Sequence, residues 1–134
     1  MTAGSRLPEG CPPEGHLAAD GVFYRLARAN LVPGEVPGPE DWTLPLHTKK
    51  SAAYQQFDQC DAYAYSMFAD IEALRRARES VPWVRKKSIA RVTLEPAMGR
   101  ILETESHVGP THHDFWPSED DLVPPAQVVE GKVA

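Results

Sequence analysis

The stretch GPTHHDFWPSEDD combines two adjacent histidines, an aspartate and two large aromatic residues. Neighbouring side chains on an extended chain point to opposite faces, so His112 and His113 are poorly placed to bind one metal ion. His112 and Asp114, two positions apart, would share a face. Phe115 and Trp116 are side chains that can anchor a loop to a core. The pattern favours an anchored loop whose histidine faces either water or a pocket for a planar ring or a nucleotide, with a metal site as the weaker interpretation.

Two polar residues lie within otherwise apolar segments. Arg25, in FYRLA, has apolar neighbours on both sides, and such an arginine either reaches an edge or binds an anion in a cleft. The ordinary alternative is a surface ion pair with one of the 19 acidic residues. Ser66, in AYSMF, is either a small packed residue or a hydroxyl that a strand end presents to a ligand.

A pair of carboxylates follows in the segment ETE, at Glu103 and Glu105. On a strand they would share one face, about 7 Å apart. A carboxylate in that setting can stabilise positive charge that develops on a bound ligand. The ordinary alternative is a solvated strand face in an acidic protein.

The elements that must position these residues follow from local patterns. The segment 21–29 alternates as a strand does, and the Pro/Gly-rich segment after it predicts a long loop. For the next part we predict a helix over 49–60, a short strand over 62–68 and a helix over 70–80 with Asp70 as its N-cap. The competing interpretation is a single amphipathic helix over 49–81, because no Gly or Pro interrupts it.

The C-terminal half is richer in strand signals. KSIARVTL (87–94) and RILETES (100–106) read as two strands joined by a Pro/Gly turn, and AQVVEGKV (126–133) reads as a closing strand. Together, these helices and strands predict an α+β domain with a mainly antiparallel sheet over residues 21–134. Residues 1–20 lack periodicity and are predicted to be a flexible N-terminal segment.

Composition excludes several classes of protein. A net charge of −5 argues against nucleic acid as a main partner, since binding to phosphate backbones needs a basic surface. The sequence has no apolar run long enough for a transmembrane helix, so no membrane partner is expected. Two cysteines, one of them in a Pro/Gly-rich tail, make a weak case for a disulfide and favour a reducing compartment, and the cytoplasm is the predicted location.

The order of the polar residues resembles a known pattern. Arg25 in a first strand, the serine of YSMF before a helix and a downstream ETE resemble the R–S–E pattern of ADP-ribosyltransferase-like domains. The segment from SMFADIEALRRARESVP through KSIARVTL is also similar to small bacterial toxin or effector members of that superfamily. The resemblance covers about residues 21–130. The chain departs from the family pattern in two ways: SMF stands where Thr-Ser usually follows the serine, and ETE follows closely after KSIARVTL.

This resemblance implies a split, mostly antiparallel sheet whose cleft binds NAD as a substrate. Arg25 would contact the NAD phosphates, and Ser66, next to Tyr65, would position the nicotinamide ribose. Glu105, with Glu103 two residues before it, would stabilise the oxocarbenium-like species that forms as nicotinamide leaves.

The resemblance leaves other roles open. His112, His113 and Trp116 would line the pocket, and His113 is retained as a catalytic candidate because some relatives have histidine-based sites. Glu130 is a rival for the glutamate role. The predicted activity is that of an ADP-ribosyltransferase or an NAD glycohydrolase, with an antitoxin or immunity protein as a protein partner. The alternative is a non-catalytic protein-binding accessory domain of a bacterium or phage, for which we expect Trp42, Trp83 and Trp116 to be clustered and partly exposed.

Overall fold

A computed structural model describes residues 10–42, 60–106, 108–119 and 122–133. These residues form seven antiparallel strands in one sheet and two helices. The predicted α+β class with a mainly antiparallel sheet is confirmed. The elements in chain order are β1 (Leu17–Ala18), β2 (Gly21–Ala27), β3 (Tyr65–Phe68), α1 (Ile71–Ser80), α2 (Pro82–Arg85), β4 (Ser88–Leu94), β5 (Gly99–Glu103), β6 (His112–Pro117) and β7 (Ala126–Glu130). In this described part, neither helix has the length and apolar character that a membrane crossing requires.

The strand order in the sheet is β1-β5-β6-β3-β2-β4-β7. β2 pairs along its whole length with β4, from Gly21 opposite Leu94 to Ala27 opposite Ser88. The two strands predicted at KSIARVTL and RILETES are confirmed, but they do not pair with each other, because β6, β3 and β2 lie between them. The turn that joins them therefore carries the chain across the sheet.

The sheet curls strongly, which brings distant strands together. Ala18 in β1 and Gly21 in β2 are four places apart in the strand order, or about 19 Å in a flat sheet. The three Cα steps between these residues span at most about 11 Å. The Ala19 amide also donates to the Gly99 carbonyl oxygen at 3.0 Å. Only a curled sheet satisfies both constraints.

The two faces of the sheet are covered differently. Along β2, Phe23 belongs to the main core, while Tyr24 and Leu26 on the opposite face pack beneath α1. The main core contains side chains from five of the strands, and its buried members are Ala19, Phe23, Trp42, Tyr65, Met67, Val92, Leu94, Ile101 and Phe115. On the other face, Leu74 of α1 is fully buried against the sheet. Both faces are therefore apolar near the centre, and the polar residues there need a specific explanation.

The helix after β3 begins where the sequence predicts. The Asp70 side chain accepts a hydrogen bond from the Glu72 amide at 3.0 Å, which satisfies one of the free amides of the first turn. The short strand predicted over 62–68 is present as Tyr65–Phe68, so the single helix over 49–81 is wrong. The helix predicted over 49–60 lies outside the described residues, except for Cys60, which begins a 3₁₀ turn.

The segment HHDFWP is a strand rather than the anchored loop predicted from the sequence. β6 pairs with β3 on one side and with β5 on the other, so it is an interior strand of the sheet. Phe115 and Trp116 are buried, as the anchoring prediction requires. Five of its six residues are buried, which removes the alternation of polar and apolar residues that identifies a half-exposed strand.

The N-terminal segment is attached to the domain. Leu17–Ala18 pairs with β5, and Ala19 is fully buried, so the predicted flexible segment over 1–20 differs from the structure at this end. Cys11 and Cys60, for which the sequence makes only a weak case for a disulfide, form one with their Cα atoms 5.4 Å apart. Since disulfides persist mainly in oxidising compartments, the cysteines no longer support the prediction of a cytoplasmic location.

Candidate functional site

The sheet is nearly divided between β2 and β3. These two strands share one registered pair, Tyr24 opposite Phe68, whereas β2 and β4 share seven. Beyond that pair the strands separate, and one Nη of Arg25 donates to the Ser66 carbonyl oxygen across the opening at 3.4 Å. Where two neighbouring strands separate, backbone groups that would be hydrogen-bonded in a continuous sheet become accessible, together with the side chains beside them.

A cavity of about 260 Å³ lies at this split. Its lining residues come from β2, β3, α2, β6 and the segment between β5 and β6, and they are Arg25, Leu26, Ser66, Phe68, Trp83, Ser106, Val108 and His112. Leu26, Ser66 and Phe68 are on the helix-covered face, whereas Arg25 starts from the core face. The separation of the strands allows the Arg25 side chain to reach this cavity.

The Arg25 guanidinium is held by aromatic rings and main-chain carbonyls. Its central carbon lies 4.4 Å from the Trp42 ring centroid and 5.1 Å from that of Tyr65. The second Nη donates to the Asp41 carbonyl oxygen at 3.1 Å. Within the described part of the chain, no carboxylate lies within ion-pair distance of Arg25, so the surface ion pair considered from the sequence is not present there.

Burial lowers the pKa of Arg25 to about 10, while the electrostatic influence of Tyr65 and Asp41 raises it. The guanidinium therefore stays charged at neutral pH. Its charge is supported by ring faces and carbonyl dipoles. A partly buried cation in this state can bind an incoming anion, and a planar guanidinium is suited to phosphate oxygens.

The loop that carries Trp42 is fixed by Asp41. One carboxylate oxygen of Asp41 accepts from the Arg28 amide at 3.0 Å, and the other accepts from the Gly38 amide at 2.9 Å. The Arg28 Nε donates to both oxygens, at 3.2 and 3.1 Å. The last residues of the Pro/Gly-rich loop are thereby ordered against β2, which places the Trp42 ring under Arg25.

A second cavity of about 260 Å³ adjoins the first and shares Arg25, Leu26 and Trp83 with it. The residues that it adds are Ala27, Arg28, Glu40, Asp41 and Lys87. Trp83 lies on the rim of both cavities and is 48% exposed, whereas Trp42 and Trp116 are buried. Pro82 at the first position of α2 fits the start of that short helix, which presents Trp83 to the cavities.

His112, the first residue of β6, lines the cavity together with Arg25 and Ser66 and is 8% exposed. Its Nδ1 lies 2.9 Å from the Thr104 hydroxyl, which also donates to Asp114 at 3.1 Å. The expectation that His112 and Asp114 share a face is confirmed. Burial lowers the pKa of His112, a hydrogen bond to the Thr104 backbone raises it, and the neighbouring His113 lowers it.

The two predicted glutamates lie beside this cavity and do not line it. Glu103 ends β5, Glu105 follows beyond the strand, and both are exposed. They line an open depression of about 740 Å³ together with Thr104, Ser106, Gly109, Pro110 and Thr111. Ser106 belongs to both the depression and the cavity at the split. A ligand that extends past Ser106 would therefore meet these carboxylates.

Other predicted site residues have structural roles. Tyr65 is buried, supports Arg25, and donates its hydroxyl to the Trp42 carbonyl oxygen at 3.0 Å. Trp116 is buried and its indole donates to the Cys60 carbonyl oxygen at 2.8 Å. His113 points away from His112 and packs edge-on against Phe23 at 5.1 Å. The structure does not bring these three into the lining of the cavity at the split.

The rival glutamate candidate makes structural ion pairs. Glu130, the rival glutamate, binds Arg75 and Arg78 on α1, which gives it a structural partner set. Among the described residues, no group of three His, Cys, Asp or Glu side chains is arranged to hold a metal ion.

Sequence reasoning missed the contribution of Thr104, Ser106 and Trp83. In the sequence, Thr104 is simply the residue between two glutamates. Its role depends on the pairing of β5 with β6, which places Glu103 opposite His113 and therefore the next residue, Thr104, beside His112. Trp83 was considered only as part of a protein-contact surface. The order of the strands, which brings α2 over the split, is a tertiary property that no local pattern encodes.

No protein-family model matches this chain. The curated proteins and the solved structures give no match either. The function is therefore argued from the chemistry of the site.

Proposed function

We propose that this chain is a small NAD-consuming enzyme of the ADP-ribosyltransferase-like or NAD glycohydrolase-like type. The observation that supports this most is the meeting of Arg25 and Ser66, which are far apart in the sequence, in one cavity at a split in the sheet. The sequence pattern predicts this convergence, and a scattered placement of the two residues would have removed its basis.

The charge distribution suits a dinucleotide. Each Nη of Arg25 donates to one carbonyl oxygen and keeps a further N–H donor for a diphosphate, whereas Nε is fully buried. The adjoining cavity adds Arg28 and Lys87, although Arg28 is already paired with Glu40 and Asp41. We place the diphosphate at Arg25, with one of the two ring systems of NAD stacked on the exposed face of Trp83.

The reaction breaks the bond between the nicotinamide nitrogen and C1′ of the ribose. Both electrons of that bond go to nicotinamide, which leaves as a neutral molecule, and positive charge develops at C1′. Glu105, assisted by Glu103, stabilises this charge from the depression beyond Ser106, and Ser66 positions the ribose. The acceptor, water or a nucleophilic group of another molecule, then forms a bond to C1′ and loses a proton.

The experiment is the release of nicotinamide from NAD by the purified protein, with NAD binding measured separately. Arg25→Lys keeps the charge but loses the planar guanidinium, so we expect weaker NAD binding and a fall in kcat/KM of about 10- to 100-fold. Arg91→Lys, an exposed arginine on β4, is the matched control and should leave both unchanged. Glu105→Gln should abolish release while NAD still binds, with Glu95→Gln in the exposed β4–β5 turn as its control.

Two results would contradict the proposal. One is the absence of NAD binding by the folded wild-type protein. The other is equal nicotinamide release by wild type, Arg25→Lys and Glu105→Gln.

The alternative of a non-catalytic binding domain gains no support from the tryptophans. The prediction of three clustered and partly exposed tryptophans is wrong for Trp42 and Trp116, which are 7% and 2% exposed. Trp83 alone is accessible, and it borders the two cavities described above. The exposed tryptophan is therefore better explained as part of a ligand site.

A further inference from the structure

Three polar side chains in the interior form a chain of hydrogen bonds that ends at the cavity. Asp114 and His112 project from the same face of β6, and each is 8% exposed. The hydroxyl of Thr104, just after β5, lies between them, 2.9 Å from His112 Nδ1 and 3.1 Å from an Asp114 oxygen. The Thr104 amide is fixed as well, because it donates to the His112 carbonyl oxygen at 2.9 Å. The main chain thus holds the hydroxyl in position.

Counting protons assigns the tautomer of His112. A threonine hydroxyl has one proton, and it donates this proton to the Asp114 carboxylate, which can only accept while it is ionised. The hydroxyl oxygen must then accept from His112, so Nδ1 carries the proton of the neutral ring. If Nε2 carried it instead, Nδ1 and the carboxylate would compete for the single hydroxyl proton. The ring is therefore held with Nε2 unprotonated.

The lone pair on Nε2 has access to the cavity. Among the described residues, Nε2 of His112 has no hydrogen-bond partner, and it is not among the fully buried polar atoms that lack one. His112 lines the cavity together with Arg25 and Ser66. A histidine general base requires a neutral imidazole with an unprotonated Nε2 that faces the ligand and a hydrogen bond at Nδ1 that orients the ring.

We propose that His112 is the general base that removes the proton from the acceptor, and that Thr104 and Asp114 are positioning residues that hold its tautomer. This inference rests on the proposed function and deepens it. A lone pair of the acceptor forms the new bond to C1′, and the acceptor's proton moves to His112 Nε2 and is later released to solvent. Nicotinamide leaves with the electrons of the broken bond and needs no proton, so one base without a partner acid satisfies the reaction.

Burial keeps His112 deprotonated at neutral pH, since its pKa is lowered. Arg25 is the other charged residue that lines this cavity, and Glu103 and Glu105 line the adjoining depression. Asp114 is linked to His112 through Thr104, and His113, on the opposite face of β6, acts on His112 only through its electrostatic influence. The imidazolium that forms during the reaction is stabilised by Asp114 through the Thr104 hydroxyl. Loss of that hydroxyl should therefore lower the pKa of His112 further and leave the cavity in place.

The first experiment measures kcat for nicotinamide release and the Kd for NAD over a range of pH. His112→Gln should lower kcat by about 10²- to 10⁴-fold with little change in Kd. Thr104→Val should lower kcat and shift the acid limb of its pH profile to lower pH, and Thr104→Ser should restore both. His16→Gln, which alters a histidine bonded to Arg100 outside the site, should match the wild type.

The second experiment does not depend on turnover. Nitrogen NMR of the protein with ¹⁵N-labelled histidine should show His112 with the proton on Nδ1, and Thr104→Val should change that signal while the signal of His16 stays the same. A dominant Nε2–H form of His112 would overturn the inference. So would unchanged kcat in His112→Gln, and in that case wild-type nicotinamide release would leave the proposed function standing. Failure of the wild type to bind NAD would instead contradict the proposed function, and with it the role of His112 as a base in that reaction. The NMR result on the protonation of His112 would still stand.

Discussion

Arg25 and Ser66, 41 residues apart in the sequence, meet where β2 and β3 separate, and the arginine Nη donates to the serine carbonyl oxygen at 3.4 Å. This is a weak hydrogen bond at the limit of normal geometry, and a bound anion can replace it at small cost. The stronger restraints on Arg25 are the Trp42 ring and the Asp41 carbonyl oxygen on its other side. The guanidinium is thus oriented before any ligand arrives, which reduces the entropy that binding must overcome.

Trp83 should report ligand binding by its fluorescence. It is 48% exposed, whereas the other two tryptophans of the chain are buried, so a soluble collisional quencher should reach Trp83 alone. Addition of NAD should change the emission and protect it from the quencher. Trp83→Phe should remove that change and retain most of the affinity, and Trp83→Ala should raise the Kd by about 5- to 100-fold, as loss of ring stacking predicts. An unchanged signal with saturating NAD would contradict this placement of the ligand.

His112 should make stability depend on pH. Its pKa is lowered in the folded protein, so between the folded pKa and about 6.5 the unfolded chain binds more protons. The stabilisation is complete above about 6.5 and is lost as the pH falls through the folded pKa. Denaturant unfolding of wild type and His112→Gln from pH 8 to pH 5 tests this. As the pH falls, the unfolding free energy of the wild type should decrease more than that of His112→Gln. The same pH dependence of the unfolding free energy in both proteins would contradict the prediction.

The Cys11–Cys60 disulfide should stabilise the domain. It closes a loop with a sequence separation of 49, for which the loop-entropy relation gives about 4 kcal/mol. The Cys60 carbonyl oxygen also accepts a hydrogen bond from the Trp116 indole. The disulfide therefore connects the N-terminal segment, through Cys60, to the buried end of β6. The double variant Cys11→Ser/Cys60→Ser should unfold at lower denaturant concentration, by about 2–4 kcal/mol. The wild type in reductant should match it, and equal midpoints in oxidised and reduced protein would rule out a bonded pair.

How much the sequence predicts depends on whether a pattern is local. β2, β4, the Asp70 cap and α1 are encoded by alternation, periodicity and capping chemistry, and the structure contains all four. β6 was missed because its two faces are both buried, so polar and apolar residues do not alternate along it. Arg25 and Ser66 were found as polar residues in apolar segments. The role of Thr104 depends on the β5–β6 register, which local sequence does not specify.

Gly99 should be essential for that register. It begins β5 opposite Pro117, with φ +152°, and a Cβ atom there would lie 2.0 Å from the Trp116 carbonyl oxygen. Main chain cannot move aside as a flexible side chain can, so Gly99→Ala should destabilise the fold by about 2–4 kcal/mol. Gly34→Ala is the matched control, because Gly34 also has a positive φ, +97°, but has open space around its Cβ position.

The consequence of Gly99→Ala should extend to the site. If the variant folds with β5 displaced against β6, Thr104 no longer faces His112 and Asp114, since side chains alternate between the faces of a strand. We therefore expect the His112 tautomer signal to change in Gly99→Ala and to stay as in the wild type in Gly34→Ala. Equal stability of the two variants would show that the close approach to Trp116 is not restrictive. A large loss of stability with an unchanged His112 signal would show that the β5–β6 register tolerates the strain.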